Sequence, residues 1–587
     1  MQLIVGHTTH DSAWIWVRGD RKDRRFKVEL ETVDSREGNR KKHSKRVEVD
    51  AKRDYTAVAR FDFLLLPCAT YKVTLLSSTL SGKLEGELRT FPRPDCSASF
   101  RFLHGSCNLS APRLTALGST AVALLGTAAT SNALKMPFSE WDVHQLPRWY
   151  RLLGRRPLRG LATWLVKKMN FAVAGFTMQT RFEQPKMRLT DSKDPQSLLE
   201  GPFDSLVSKL KDENGSNERP AFMIHCGDQI YFDVDFPKRR GKKEDYRHNY
   251  RQAWFEDDGT REILRRMPHY MILDDHEILD GFGTDRDEKA KKNSKAALVA
   301  YDEYVSARQP GETGKRYYKF EHGDTAFFVL DTRTERRSRS ADSRQPPQMI
   351  SEEQLEELEE WLPCKRPDKG LQAKGRCEKC LKDQERCKDY GLRFIVSSVP
   401  FVAQLRPPGL DANGERRPDG RADKWSGEDW REQRERIIAS IYKYGVERLV
   451  FLVGDMHCTY HATMQIGTPE RRITIHELAG GPFNQLQFAE RDGFYARYAG
   501  EFTPIGAKDD KERLPWVSTL QAFHGAAPSV LDVSVTPQSE HDPPRVDWKA
   551  LRAQKTEERK PPNLRAPCDP HDLCGSIRFP RHSVGSS

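Results

Sequence analysis

Four apolar runs in this chain end in side chains able to hold a metal ion. Arg101-Phe-Leu-His-Gly-Ser-Cys107 ends in a thiol. Ala221-Phe-Met-Ile-His-Cys-Gly-Asp228-Gln-Ile-Tyr231 supplies a carboxylate and, three residues on, a phenol. Met271-Ile-Leu-Asp274-Asp275-His276-Glu277 adds two adjacent aspartates and an imidazole, and Val450-Phe-Leu-Val-Gly-Asp455-Met-His457 a carboxylate and a second imidazole. Thiolate, phenolate, imidazole and a bridging carboxylate together suit Fe(III) better than zinc or magnesium. An all-carboxylate second position suits a hard divalent ion such as Ca(II), Mg(II) or Mn(II). Taken singly, each has a plainer reading. A lone buried cysteine, Cys226 included, is usually a small hydrophobe, a lone Gly-Asp a turn, and Asp-Asp-His-Glu a helix cap. Four in one chain argue for one assembled site.

The elements that must deliver these groups follow from the same runs. Each reads as a buried strand releasing its ligand at the C-terminal end, the edge of an open α/β sheet where ligands bind. Phe327-Phe-Val-Leu-Asp331-Thr-Arg333 is a further strand ending, and Phe394-Ile-Val-Ser-Ser, Arg448-Leu-Val-Phe-Leu-Val and Ile473-Thr-Ile-His-Glu-Leu continue the sheet. Ser351-Glu-Glu-Gln354 opens a helix as a capping box, with Leu355, Leu358 and Leu362 on one face. Residues 1–95 alternate with period two in short runs, which predicts a small β-sandwich. Pro92-Arg-Pro94 then reads as a linker.

Bulk composition bounds the rest. The chain has 587 residues, 37% of them hydrophobic, and a formal charge of +11 from 96 basic and 85 acidic residues. Several domains and a sizeable core are expected. A basic surface suits anionic substrates or partners, although both signs are interspersed. Eleven cysteines are too few and too scattered for a disulfide scaffold. No secretory signal and no spanning run of about 18 apolar residues is seen, so a cytoplasmic enzyme is expected. There is neither a serine nucleophile elbow nor a phosphate-binding P-loop.

In order and type, Gly-Ser-Cys107, Gly-Asp228-x-x-Tyr231, Asp-Asp275-His276-Glu277, Leu-Asp331-Thr-Arg333, the Asp423-Lys-Trp425 segment and Gly-Asp455-x-His457 resemble the PhoD-like (alkaline phosphatase D) metallophosphatases. The resemblance covers roughly residues 1–500. It implies an α/β fold, the metallophosphoesterase four-layer α/β/β/α sandwich, preceded by a small all-β domain of fibronectin or immunoglobulin type. The implied limits are 1–95 for the sandwich and 96–535 for the phosphatase domain, while the Pro, charge and Ser composition of 536–587 predicts a mobile C-terminal tail. It also implies hydrolysis of phosphate esters, of the phosphodiesterase or alkaline phosphatase type, by a metal-activated hydroxide. Cys107, Asp228, Tyr231 and His457 would hold iron. Asp228 would bridge to a second ion, calcium first and Mg, Mn or Zn as alternatives, held also by Asp275 and Asp455. Asp274 rivals Asp275. His276 would protonate the leaving group, and Arg333 is either a phosphate clamp or a structural ion pair.

Two stretches depart from the family pattern. Residues 110–215 far exceed the roughly 30 residues that one crossover needs. They contain the apolar Leu161–Phe176 run, which reads as a lid, an interface, a membrane-surface patch within 114–177, or a plain helical insertion. The basic stretch 363–392 carries Cys364, Cys377, Cys380 and Cys387, either a structural zinc ribbon or free thiols. The expected partner is a small-molecule or polymeric phosphoester, with no specific nucleic-acid signal. The competing reading is a non-catalytic scaffold of the same fold that binds anionic partners through its basic insertions.

Overall fold

The computed structural model describes residues 1–33, 41–79, 81–94, 96–108, 203, 206, 207, 210, 219–234, 241–283, 288–339, 345–363, 391–405, 423–483, 497–508, 512–524, 529–538, 542–552 and 574–580. The long run after Leu161 and the cysteines at 364, 377, 380 and 387 lie outside them.

Seven strands form the N-terminal sandwich: β1 (Gln2–Thr8), β2 (Ala13–Arg18), β3 (Arg25–Thr32), β4 (Lys42–Glu48), β5 (Thr56–Phe61), β6 (Thr70–Ser77) and β7 (Lys83–Arg89). One sheet runs β1-β2-β5 and the other β4-β3-β6-β7. Leu3, Ile15, Val28, Phe61, Val73 and Leu88 fill the space between them. Period-two burial is clear in β6, where Tyr71, Val73 and Leu75 point inward. β4, Lys-His-Ser-Lys-Arg-Val-Glu, shows no such alternation because it is an exposed edge strand, and charge on an edge blocks unwanted pairing.

Two larger mixed sheets follow. The six-stranded sheet is built from β8 (Phe100–Gly105), β9 (Met223–Cys226), β10 (His269–Ile272), β19 (Ser529–Thr536), β20 (Arg545–Arg552) and β21 (Cys574–Arg578), in the order β10-β9-β8-β19-β20-β21. β8, β9 and β10 are parallel to one another, and β19 returns antiparallel to β8. The eight-stranded sheet contains β11 (Tyr318–His322), β12 (Thr325–Val329), β13 (Leu392–Ser397), β14 (Leu449–Val453), β15 (Thr459–Thr468), β16 (Arg471–Ala479), β17 (Arg497–Phe502) and β18 (Leu514–His524). Its order is β11-β12-β13-β14-β16-β15-β18-β17, with β12, β13, β14 and β16 parallel. The wholly buried Thr-Ala-Phe-Phe-Val, Leu-Arg-Phe-Ile-Val-Ser and Leu-Val-Phe-Leu-Val are what central parallel strands require.

The sheets pack face to face. Phe102 and Phe222 of the first meet Phe327 of the second at ring separations of 5.8 and 5.4 Å. Helices α1 (Lys243–Phe255), α2 (Asp258–Leu264) and α3 (Glu288–Tyr304) serve the first sheet, and α4 (Glu352–Trp361) and α5 (Arg431–Tyr444) the second. Leu355, Leu358 and Leu362 are fully buried, as the helical spacing predicts. Ser351 caps α4 by accepting from the Gln354 amide at 3.2 Å. The Gln354 side chain does not complete the box. It bonds both the amide and the carbonyl of Asp331 and so anchors the end of β12.

The described residues beyond 536 differ from the mobile tail that their composition predicts. β20 and β21 extend the first sheet, because Val546, Trp548, Ala550 and Ile577 alternate inward beneath an otherwise charged sequence. Cys574, at the head of β21, is disulfide-bonded, whereas Cys68, Cys96, Cys107, Cys226 and Cys458 are free. Among the described residues no helix is long and apolar enough to cross a membrane.

The sandwich sits directly on the first sheet and its helices. Trp16 is fully buried among α1 and α3 residues and donates its indole N–H to the Glu303 carbonyl at 2.9 Å. Asp54 accepts from Arg18 and Arg251 at 3.1 and 2.6 Å and from Tyr304.

Candidate metal centre

The seven side chains proposed to hold two ions arrive from both sheets, with Tyr231 three residues past Asp228 among them. Cys107 lies two residues beyond β8, Asp228 two beyond β9, Asp274 and Asp275 just after β10, and Asp455 and His457 just after β14. Cys107, Asp228, Asp455 and His457 all have positive φ, at 60°, 55°, 65° and 50°. Non-glycine residues seldom occupy this region, and holding one there costs about 1–3 kcal/mol. The neighbouring backbone enforces it. The Asn108 amide donates to the Asp228 carbonyl at 2.8 Å and the Cys107 amide to Gly227 at 3.3 Å. Gly227 has φ +90°, and a Cβ there would lie 2.4 Å from the Asp274 Cβ. Gly454 is the second obligatory glycine. A Cβ on it would lie 2.2 Å from the Cys226 carbonyl, so the end of β14 reaches β9 only without a side chain.

Three groups of ligand atoms lie within 4.8 Å of one another: Cys107 with Asp228 and His457; Asp228 with Asp275 and His276; and Asp274 with Asp275 and Asp455. Asp228 belongs to the first two and Asp275 to the last two, so the groups form a continuous chain. The Tyr231 hydroxyl donates to Asp228 Oδ2 at 2.9 Å and lies 3.2 Å from His457 Nε2, which puts the phenol in the first group. Asp228 Oδ1 and Asp274 Oδ2 are buried and have no hydrogen-bond partner. An unpaired buried carboxylate oxygen is costly, and a bound cation is what would satisfy it.

The electrostatics agree with the geometry. Burial, reinforced by Asp228, pushes the Cys107 thiol well above its usual range. Burial with neighbouring acids also pushes Asp228 well up. Asp274 is pushed up to about 7 by burial, Asp275 and Asp455, against the pull of Arg333. Asp275 goes the other way, since Arg333 and His276 outweigh its burial and hold it low. Burial opposes charge on His276, but Asp233, Asp275 and Asp228 overcome it and raise its pKa well above the ordinary value.

Arg333 makes the contacts that the ion-pair reading expects. Its side chain is fully buried. Nε reaches Asp274 Oδ1 at 2.5 Å, Nη1 reaches Asp423 Oδ1 at 2.5 Å and the Phe282 carbonyl at 3.1 Å, and Nη2 lies 3.6 Å from Asp275. A guanidinium so committed orients carboxylates rather than awaiting a phosphate.

Four residues escaped the sequence reading of the site. Asp233 lies 2.9 Å from His276 Nδ1 and fixes the ring, which also stands over Tyr231 at 4.3 Å. Glu277 accepts from the Asp274 and Gln229 amides at 2.9 and 2.5 Å and so ties two ligand loops together. Asp423 gathers Arg333, Arg336 and Lys424, and Lys424 also ion-pairs with Asp455. Asp233 is two residues past Tyr231 and Glu277 next to His276, which is the only sequence signal for either. Asp423 and Lys424 stand inside the Asp-x-Trp segment, with nothing in the sequence to show what they face.

The PhoD-like phosphatase profile matches residues 211–518, more than half of the chain. The protein belongs to the PhoD-like phosphatase family. Among solved structures it is similar to one titled "Structure of PhoD", at 16% identity and a TM-score of 0.55, covering 94% of this chain and 85% of that one. A purple acid phosphatase from yellow lupin (Lupinus luteus) seeds aligns at 12% identity and a TM-score of 0.45, covering 94% of this chain and 72% of that one. No curated protein matches. The family and the PhoD-type fold agree with the two mixed sheets described above.

Proposed function

We propose that this protein hydrolyses phosphate esters, diesters or monoesters, at a centre whose ions are held by Cys107, Asp228, Tyr231 and His457 at one position and by Asp228, Asp275 and Asp455, with Asp274 alongside, at the other. One observation carries the reading: three overlapping ligand groups converge at strand ends from both sheets, with buried oxygens of Asp228, Asp274 and Asp455 lacking a hydrogen-bond partner. The donors fit a hard trivalent ion at the thiolate–phenolate position and a hard divalent ion among the carboxylates. Bound there, such ions would supply Lewis acidity and a more acidic water.

The chain's own groups do the rest. Asp233 holds Nδ1 of His276, which leaves Nε2 to carry a proton toward the leaving oxygen. Arg333 keeps Asp274 and Asp275 apart and oriented. Glu277 keeps the β9 and β10 loops in register. Cys107, Asp228, Tyr231, Asp274 and Asp275 are buried and Asp455 and His457 half-buried, which limits competing water.

Metal analysis coupled to a panel of phosphomonoesters and phosphodiesters tests the reading. Asp228→Asn is expected to abolish both hydrolysis and metal uptake. Near-normal turnover of that variant would remove Asp228 from the bridging role. Cys107→Ala is expected to lower iron content, and unchanged iron stoichiometry would count against thiolate ligation.

A further inference from the structure

A cavity of about 380 Å³ opens at the seam, between β5 of the sandwich and the segment that joins α3 to β11. Arg53, Arg60, Asp302, Glu312, Lys315 and Arg316 supply its charged lining. The two acids are already committed. Asp302 holds Arg316 through contacts of 3.0 and 2.7 Å and accepts from Ser306 at 2.9 Å. Glu312 lies 3.3 Å from Lys315, which also meets Glu353 and Glu357 at 3.0 and 3.1 Å. Two cations are left over. Arg53 and Arg60 are exposed and form no ion pair among the described residues. Arg60 only stacks on Trp14, 3.9 Å from the ring centroid.

A third uncompensated cation stands between the lining residues Ala307 and Gln309. Arg308 is fully buried, yet its guanidinium meets neutral acceptors alone: the Tyr304 and His269 carbonyls at 2.9 and 3.0 Å and the Met271 sulfur at 2.9 Å. Low-dielectric walls focus such a field into the nearest opening.

Gln309 adds a directional demand. It is 3% exposed and lines the same cavity. Its Nε2 donates to the His269 carbonyl at 2.9 Å, which fixes the orientation of the amide. Its Oε1 is buried and has no hydrogen-bond partner. An unpaired buried acceptor is costly, and what would satisfy it is an O–H or N–H donor.

Unpaired cations beside an unpaired acceptor fit an anion that also donates a hydrogen bond. Inorganic phosphate at neutral pH keeps a P–O–H group and meets both demands. Sulfate has no such proton, and an ester-bound phosphate loses most of its own above about pH 6. We propose that the seam cavity binds inorganic phosphate, which Arg53 and Arg60 attract and whose protonated oxygen donates to Gln309 Oε1. The bound ion ties the sandwich to the phosphatase domain. The inference stands apart from the metal centre and does not depend on its reading.

Hydrogen–deuterium exchange of the full chain, with and without millimolar phosphate at constant ionic strength, tests it. Phosphate is expected to slow exchange in segments 51–60 and 306–316. Sulfate is expected to need at least about tenfold more for the same protection, and Arg53→Ala and Arg60→Ala each to raise the phosphate requirement about tenfold. Both arginines are exposed, so neither change threatens the core. Any protection of segment 225–231, at the metal centre, should be the same in these variants as in the wild type. Gln309→Met is expected to erase the preference for phosphate over sulfate. If that variant does not fold, the wild-type comparison of the two anions decides. Protection by phosphate at the metal centre alone, sulfate as effective as phosphate, or arginine variants that respond like the wild type each overturn the inference.

Discussion

Two buried charge networks in this protein share their components and differ in outcome. At the seam between the sandwich and α1 and α3, Asp54 is enclosed by Arg18, Arg251 and Tyr304, while Arg247 clamps Glu303 through two contacts of 2.7 and 2.6 Å. Burial raises the Asp54 carboxyl, but these donors outweigh it and hold its pKa below the usual value. At the metal centre the acids outnumber their cations, Asp228 and Asp274 keep unpartnered oxygens, and both are pushed upward. Positive φ does not separate the two, since Asp54 has φ 53°. What separates them is completion. A closed network holds two parts of a chain together, and an open one reserves a place for something that the chain does not contain.

Three substitutions sharpen that contrast. The largest effect is expected at His276. Replacing it with asparagine should lower turnover by about 10²–10⁴-fold on an ester with a poor leaving group, and far less on an activated aryl ester, in steady-state kinetics with both substrates. Equal losses on the two would deny it the proton-donor role. Next is Arg333→Met, which leaves Asp274, Asp275 and Asp423 without their shared cation. It should cost about 3–5 kcal/mol in denaturant unfolding and disturb metal uptake as well. A stable variant with normal metal content would mean that the open network does not depend on this guanidinium.

The smallest effect is expected at the seam. Asp54→Asn should cost about 2–3 kcal/mol at neutral pH and leave metal stoichiometry untouched. Because the folded pKa of Asp54 lies below its unfolded value, about 3.9, its contribution is full above that value. It is lost as pH falls through the folded one. The stability gap between wild type and variant should therefore close in acid, as unfolding curves at pH 7 and pH 3 would show. A gap that persists at pH 3 would mean that Asp54 acts through packing rather than charge.

The fold and the convergence of the candidate ligands were legible in the sequence because both rest on local patterns. Near-continuous apolar runs ending in Gly-Asp or Ser-Cys announce buried parallel strands and what leaves their ends. What was illegible depended on distance or on context. β4 carries no alternating signal because an edge strand need bury nothing on one side. β20 hid Val546, Trp548 and Ala550 among charges. Arg333 read equally well as clamp or brace until Asp423, 90 positions away, was seen to occupy it. Lys424 gave no signal because its meaning lies in Asp455, a residue on a different loop.

The strand that carries Cys107 has a neighbour from the far end of the chain. β19 closes against β8, and Arg101 grips Asp532 across 431 positions of sequence. During synthesis the thiol emerges from the ribosome long before its supporting strand exists. The Cys107 side of the candidate site can therefore close only after residues 529–536 have been made.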